Sequence, residues 1–266
     1  MQYVRFHHSS LAGAYYGCIS SEAPQQVAVL DGPPWMRTAA GDGLMLSLPE
    51  VTLLPPCTPG KIVCVGKNYR DHAAEMAGLS GDGSIPSEPL LFLKPPSAVI
   101  ATAAAIDCPP ESERVDYEGE LALVIGRTAR RVDVEAATEC IFGYTVANDV
   151  TARDLQKKDS QWTRGKGFDT FCPLGPVLVP ALKRDARLVT RLNDRVVQSA
   201  TIDQMVFAPE YLVAYISQIM TLEPGDVILT GTPKGVGKVE PGDVVSVEIE
   251  GIGTLTNPVV RSLKQT

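Results

Sequence analysis

Histidine is scarce in this 266-residue chain, with three in all: His7, His8 and His72. The six cysteines, Cys18, Cys57, Cys64, Cys108, Cys140 and Cys172, are widely spaced and form no C-x-x-C. Together these exclude a zinc finger or a dithiol redox motif. No segment approaches roughly 18 consecutive apolar residues, which excludes a membrane-spanning helix. The start, from Met1 to His8, lacks the basic patch and apolar core of an export signal. Reduced thiols and a cytoplasmic location are therefore expected. Excess positive charge is missing too. The formal net charge is −7, and basic pairs such as Arg130–Arg131 and Lys157–Lys158 are short and flanked by acids. Neither nucleic acid nor a membrane is an expected partner.

Turn-formers are plentiful. The 23 Gly and 21 Pro predict many short strands joined by turns. Residues 1–55 read as a small β-rich N-terminal module, with strands at 13–19 and 26–30. The Pro-rich stretch 53–60 is the domain boundary, and 56–266 form the second, larger domain. A strand at 61–66 runs into a helix at 69–77, with Asn68 as its cap and Gly78 as its stop. The Gly/Ser/Pro stretch 78–88 is a loop or a lid. Thr151 and Asp154 read as a capping box for a short helix. Residues 209–220 form a second helix with Leu212, Ile216 and Ile219 on its inner side. Two echoes, Glu223-Pro-Gly-Asp226 and Glu240-Pro-Gly-Asp243, are turns that launch strands. The fold class is mostly β (α+β), with mixed sheets and few short helices.

Against that background, three acids stand out. Glu118 and Glu120 lie two apart in a segment that turns almost wholly apolar after Glu120, so on a strand they share a face. Two carboxylates entering a core together repel and lose hydration. A hard divalent cation such as Mg²⁺, Mn²⁺ or Ca²⁺ relieves both penalties. Asp149 ends a second apolar run and offers a third oxygen. On spacing alone, the acids read as ordinary exposed strand-end carboxylates.

His72 and Glu75 fall three apart on one helix face, either as an oriented general base or as a surface pair. Lys166 sits between two glycines, which lets the backbone approach a ligand closely. It suits an anionic substrate or a developing enolate, or else it is a solvated loop lysine. Arg153 and Gln156 share a face of the short helix after Asp149. The run Gly231–Lys238 lacks the glycine and hydroxyl positions of a P-loop. It reads as a glycine-rich turn whose backbone, or the Thr232 hydroxyl, binds a carboxylate. Cys172 stands near Lys166 in sequence, but its surroundings fit a packed strand start.

Six motifs in order make the chain resemble the fumarylacetoacetate hydrolase family over residues 61–258. They are Gly66–Glu75, Phe92–Pro95, Asp116–Leu121, Asn148–Asp154, Gly165–Asp169 and Thr230–Pro233. The resemblance implies a β-roll of stacked mixed sheets, usually a homodimer, holding Mg²⁺ or Mn²⁺. It implies Glu118, Glu120 and Asp149 as metal ligands, and His72 and Glu75 as a catalytic dyad on a segment that orders when substrate binds. Lys166 would serve both the metal shell and the substrate, and Arg153, Gln156 and Thr232 would contact the substrate. The implied substrate is a small 2-oxo or 2,4-dioxo acid reacting through a metal-stabilised enolate. Hydrolytic C–C cleavage of an acylpyruvate is the first expectation. Oxaloacetate decarboxylation or tautomerisation comes second, and dienoate isomerisation or decarboxylation third. A non-catalytic metal-stabilised binding protein is the alternative outside that class.

Overall fold

The computed structural model of the chain describes residues 1–36, 43–75 and 84–261. Three sheets carry the fold. The largest runs, in hydrogen-bonded order, Met45–Ser47, Gln26–Leu30, Tyr15–Ile19, Gln2–His7, Cys172–Val179, Ile141–Asn148, Gly119–Ile125, Val227–Leu229, Ile62–Gly66 and Leu90–Lys94. The strands of the first 55 residues are therefore continuous with the rest, through Tyr3 opposite Leu178. A five-stranded sheet joins Arg195–Thr201, Arg187–Leu192, Val244–Ile249, Gly253–Arg261 and Ile106–Cys108. A small sheet pairs Val115–Tyr117 with Thr151–Ala152 and Gly237–Lys238. The mostly β architecture of stacked mixed sheets matches the sequence reading.

The centre of the large sheet is apolar on both faces. Every residue of Gly119–Ile125 is buried. Leu121, Leu123 and Ile125 join one core, together with Leu212, Val213 and Ile216 of the helix Pro209–Ile219. Ala122 and Val124 face the other way, among Cys64, Ala147, Cys172 and Leu178. Period-two alternation puts Glu120 on the side of Ala122. The expectation that Glu118 and Glu120 share one strand is not met, because the run 115–125 breaks at Glu118. Before it the chain pairs in the small sheet, and after it in the large one. Glu118 is pinned at this junction: its N–H donates to Asn148 Oδ1 at 2.9 Å, and Asp149 N donates to its carbonyl at 2.8 Å.

Both Pro-Gly turns form as expected. Gly225 and Gly242 have φ of 92° and 99°, and Asp226 and Asp243 accept from the backbone N of Glu223 and Glu240. Three local expectations need correction. Asn68 does not cap a helix, because its side chain is fastened to the backbone of Phe207 and Thr230. The helix it precedes is described as Arg70–Glu75; residues 76 and 77, and 78–83 of the loop or lid, lie outside the described residues. Thr151 is no capping residue either. It pairs opposite Asp116 in the small sheet and donates its hydroxyl to Asp149 O, while Asp154 accepts from Ser112 and Glu113. Ile219 ends its helix beyond the core and is 58% exposed. No helix among the described residues is long and apolar enough to cross a membrane.

Candidate active site

Glu118 sits at the sheet junction, Glu120 one residue into Gly119–Ile125, and Asp149 directly after Ile141–Asn148. Antiparallel pairing, with Gly119 opposite Asn148, brings these strand ends together. One carboxylate oxygen from each acid lies within 4.8 Å of the others, and all three residues are buried. Lys166 Nζ bridges two of them, at 2.8 Å from Glu118 Oε2 and 2.5 Å from Asp149 Oδ2. Arg153 donates to Asp116 Oδ2 at 2.9 Å, to Gln156 Oε1 at 2.6 Å and to Glu118 Oε1. Its placement beside the acids, not only toward the open cleft, follows from the short helix Arg153–Lys158 starting against the strand that holds Asp116.

The charges are unequally matched. Burial opposes ionising Glu118, but the Lys166 ammonium and the Arg153 guanidinium outweigh it and hold its carboxyl well below the usual carboxylate range. Burial likewise opposes charging Lys166, yet Asp149 and Glu118 prevail and raise its pKa. Glu120 has the opposite fate. Burial, then Asp149 and Glu118, push its carboxyl well above the ordinary range, and the Lys166 charge and the Gly231 N–H at 2.7 Å offset this only in part. No ion pair to Glu120 exists among the described residues. Asp149 Oδ1 is buried without an aligned hydrogen bond, although Lys94 Nζ lies 2.7 Å away. Three converging hard oxygens, one on an acid without a cationic partner, fit a divalent cation of the Mg²⁺ or Mn²⁺ kind.

The imidazole stands at the same cleft. His72 is buried, and its Nδ1 lies 3.1 Å from Glu75 Oε2. Both Glu75 oxygens accept from Gly235 N, at 2.9 and 3.1 Å. Burial disfavours the Glu75 anion, but the His72 hydrogen bond and the Gly235 N–H together lower its pKa. The glycine-rich turn does bind carboxylates through its backbone, and they are the chain's own: Glu75 at Gly235 and Glu120 at Gly231. Gly235 is required there. Its φ is 100°, and a Cβ would fall 2.1 Å from Val197 O. Thr232 lines the cleft, with its hydroxyl donated to Gly119 O and accepting from Gln198. The cleft is lined by His72, the three acids, Arg153, Gln156, Lys166 and Thr232. Of the candidate site residues, all but Glu75 border this one space, and Glu75 reaches it through His72.

Residues 61–260 match the family described as fumarylacetoacetate (FAA) hydrolase, C-terminal. The chain belongs to the fumarylacetoacetate hydrolase family. Residues 1–56 match a family described as Rv2993c-like, N-terminal. Protein Rv2993c of Mycobacterium tuberculosis is 52% identical over 221 residues, 82% of each chain. The mitochondrial oxaloacetate tautomerase FAHD2A of Bos taurus is 45% identical over 225 residues, 79% of this chain and 70% of that one. The crystal structure of 5-carboxymethyl-2-hydroxymuconate delta-isomerase from Mycobacterium smegmatis superposes with a TM-score of 0.88 at 42% identity, covering 98% of this chain and 100% of that one.

In this fumarylacetoacetate hydrolase family member, two site residues escaped the sequence reading. Lys94 is fully buried and donates to Val150 O at 3.0 Å and Lys166 O at 2.5 Å, beside Asp149. A lysine closing the apolar strand Leu90–Lys94 was the available signal. Asp116, with no exposure, accepts from both Arg114 and Arg153. It stands two residues before Glu118, so the period that paired the glutamates already included it. Lys94→Met leaves Asp149 short of a counter-ion and two carbonyls short of a donor. A loss of about 3–5 kcal/mol in urea unfolding is expected.

Cys172 is excluded as a nucleophile. It is wholly buried, and burial pushes its thiol up to about 12. Cys57, Cys64, Cys108 and Cys140 are buried as well, and only Cys18 is partly accessible. Titration with Ellman's reagent should therefore find one fast-reacting thiol in the native protein and all six after denaturation.

Proposed function

We propose that this chain is a divalent-metal-dependent enzyme that interconverts the keto and enol forms of a dicarboxylic 2-oxo acid of the oxaloacetate type. The observation that carries the reading is the convergence of three buried acids, a buried lysine and an acid-oriented imidazole on one cleft. The bovine relative named an oxaloacetate tautomerase supports the choice of reaction.

Glu118, Glu120 and Asp149 would hold the metal. Once bound, it supplies Lewis acidity at the 2-oxo oxygen, which acidifies the neighbouring C–H bonds. His72, held by Glu75, accepts the C3 proton; the C–H electron pair becomes the C2–C3 double bond, the C2=O π pair moves onto oxygen, and His72 passes its proton to that oxygen. Lys166 stabilises charge developing on that oxygen. Glu75, fixed by Gly235 N, holds the ring in one orientation. The reverse sequence returns the proton to C3.

Hydrolysis of an acylpyruvate, the first expectation from sequence, is the second reading. The His72–Glu75 pair favours it, since the same base can activate a water for attack on a distal carbonyl. Absorbance assays separate the two. Oxaloacetate enol decay that needs Mg²⁺, stops with EDTA and releases no CO₂ supports the tautomerase. Loss of acetylpyruvate absorbance without enol decay overturns it in favour of the hydrolase. The homodimer implied by the family resemblance is likewise proposed, and sedimentation equilibrium tests it.

A further inference from the structure

Three cationic residues line the cleft: Arg153, Lys166 and Lys67. The first two are engaged. Arg153 donates to Asp116, Glu118 and Gln156, and Lys166 to Glu118 and Asp149. Lys67 makes no hydrogen bond or ion pair among the described residues. It is half-buried in the turn after Ile62–Gly66 and has φ of 57°, a conformation that side-chain-bearing residues rarely adopt. Both neighbours hold the turn in place. Asn68 is fastened to Phe207 and Thr230, and Gly66 is pressed so close to Leu90 and Trp162 that a Cβ would meet them at 3.2 and 3.3 Å. A cation kept without a partner on a rigid, strained turn points to a ligand charge. The nearby lining residues Val65, Gly66 and Phe92 bring no charge of their own.

We propose that Lys67 is a specificity-determining residue that pairs with the distal carboxylate of a dicarboxylic 2-oxo acid whose 2-oxo end lies at Glu118, Glu120 and Asp149. The inference rests on the function proposed above. A distal carboxylate drawn into the cleft loses water, and an unpaired ammonium replaces that hydration with a charge-assisted hydrogen bond. A monocarboxylic acid gains nothing from Lys67.

The test compares wild type, Lys67→Met and Lys67→Arg. Calorimetry on the Mg²⁺-loaded proteins measures binding of 2-oxoglutarate, a diacid, and 2-oxobutyrate, a monoacid with the same reactive end. Steady-state kinetics on oxaloacetate runs beside it. Lys67→Met should weaken 2-oxoglutarate relative to 2-oxobutyrate by about tenfold to a hundredfold. The kinetic loss should fall in KM rather than kcat, and Lys67→Arg should restore most of both. Equal weakening of the two acids, or no weakening of either, overturns the role of Lys67. If wild type binds neither acid, the proposed function itself fails, and that outcome is distinct because it appears before any substitution is made.

Discussion

Glu120→Gln is expected to abolish metal binding while leaving the metal-free protein at least as stable as wild type. Glu120 is the acid without a cationic partner, and its carboxyl is raised by burial and by Asp149 and Glu118. In the folded, metal-free chain it keeps a proton that the unfolded chain gives up. Its contribution to stability is fully present below the ordinary carboxylate range and is lost as pH rises through the raised value. Glutamine mimics the protonated form. The variant should match wild type in acid and gain on it as pH rises; each ~1 kcal/mol of gain appears as about 2–4 °C in melting temperature.

Glu118→Gln should behave in the opposite way. Glu118 is ionised by Lys166 and Arg153, and its amide would leave both cations buried with one partner fewer. A loss of about 3–5 kcal/mol is expected, together with loss of the metal. Thermal melts in EDTA and calorimetry with Mg²⁺ check both variants. Equal destabilisation of the two, or Mg²⁺ affinity retained in either, would refute the assignment.

His72→Ala is expected to lower turnover by ~10²–10⁴-fold, the range of a positioned general base. The imidazole is no part of the acid cluster, so Mg²⁺ affinity should stay near that of wild type. Glu75→Gln should lie between the two. Its side-chain oxygen still accepts from Gly235 N, but it no longer offers the ring a carboxylate partner. Turnover near the wild-type level in His72→Ala would remove the dyad from the chemistry.

Much of this site was legible because it follows from local periodicity. The two-residue spacing of Glu118 and Glu120 pointed to one site, although only Glu120 lies on the strand Gly119–Ile125, and helical spacing brought His72 to Glu75. The break at Glu118 was not legible, because a segment that leaves one sheet for another has the same apolar pattern as one continuous strand. Lys94 and Asp116 were missed for a related reason. A buried charge declares itself through partners remote in sequence, such as Asp149 for Lys94 and Arg153 for Asp116. The capping roles given to Asn68 and Thr151 failed for two reasons: the Asn68 side chain was taken by distant backbone groups, and Thr151 lies in a strand opposite Asp116 with its hydroxyl donated back to Asp149 O. The glycine-rich turn shows the reverse. Its capacity to bind a carboxylate was readable from composition, and only the fold could show that the carboxylates were those of Glu75 and Glu120.

The central claim is that Glu118, Glu120 and Asp149 hold one divalent ion to which the substrate's oxygens bind directly. Electron paramagnetic resonance of the Mn²⁺-loaded protein, with oxalate enriched in ¹⁷O as a mimic of the 2-oxo acid end, tests it most directly. The account predicts one bound Mn²⁺ per chain, with lines that broaden when labelled oxalate is added. Absence of stoichiometric Mn²⁺, or a spectrum indifferent to the label, would contradict it.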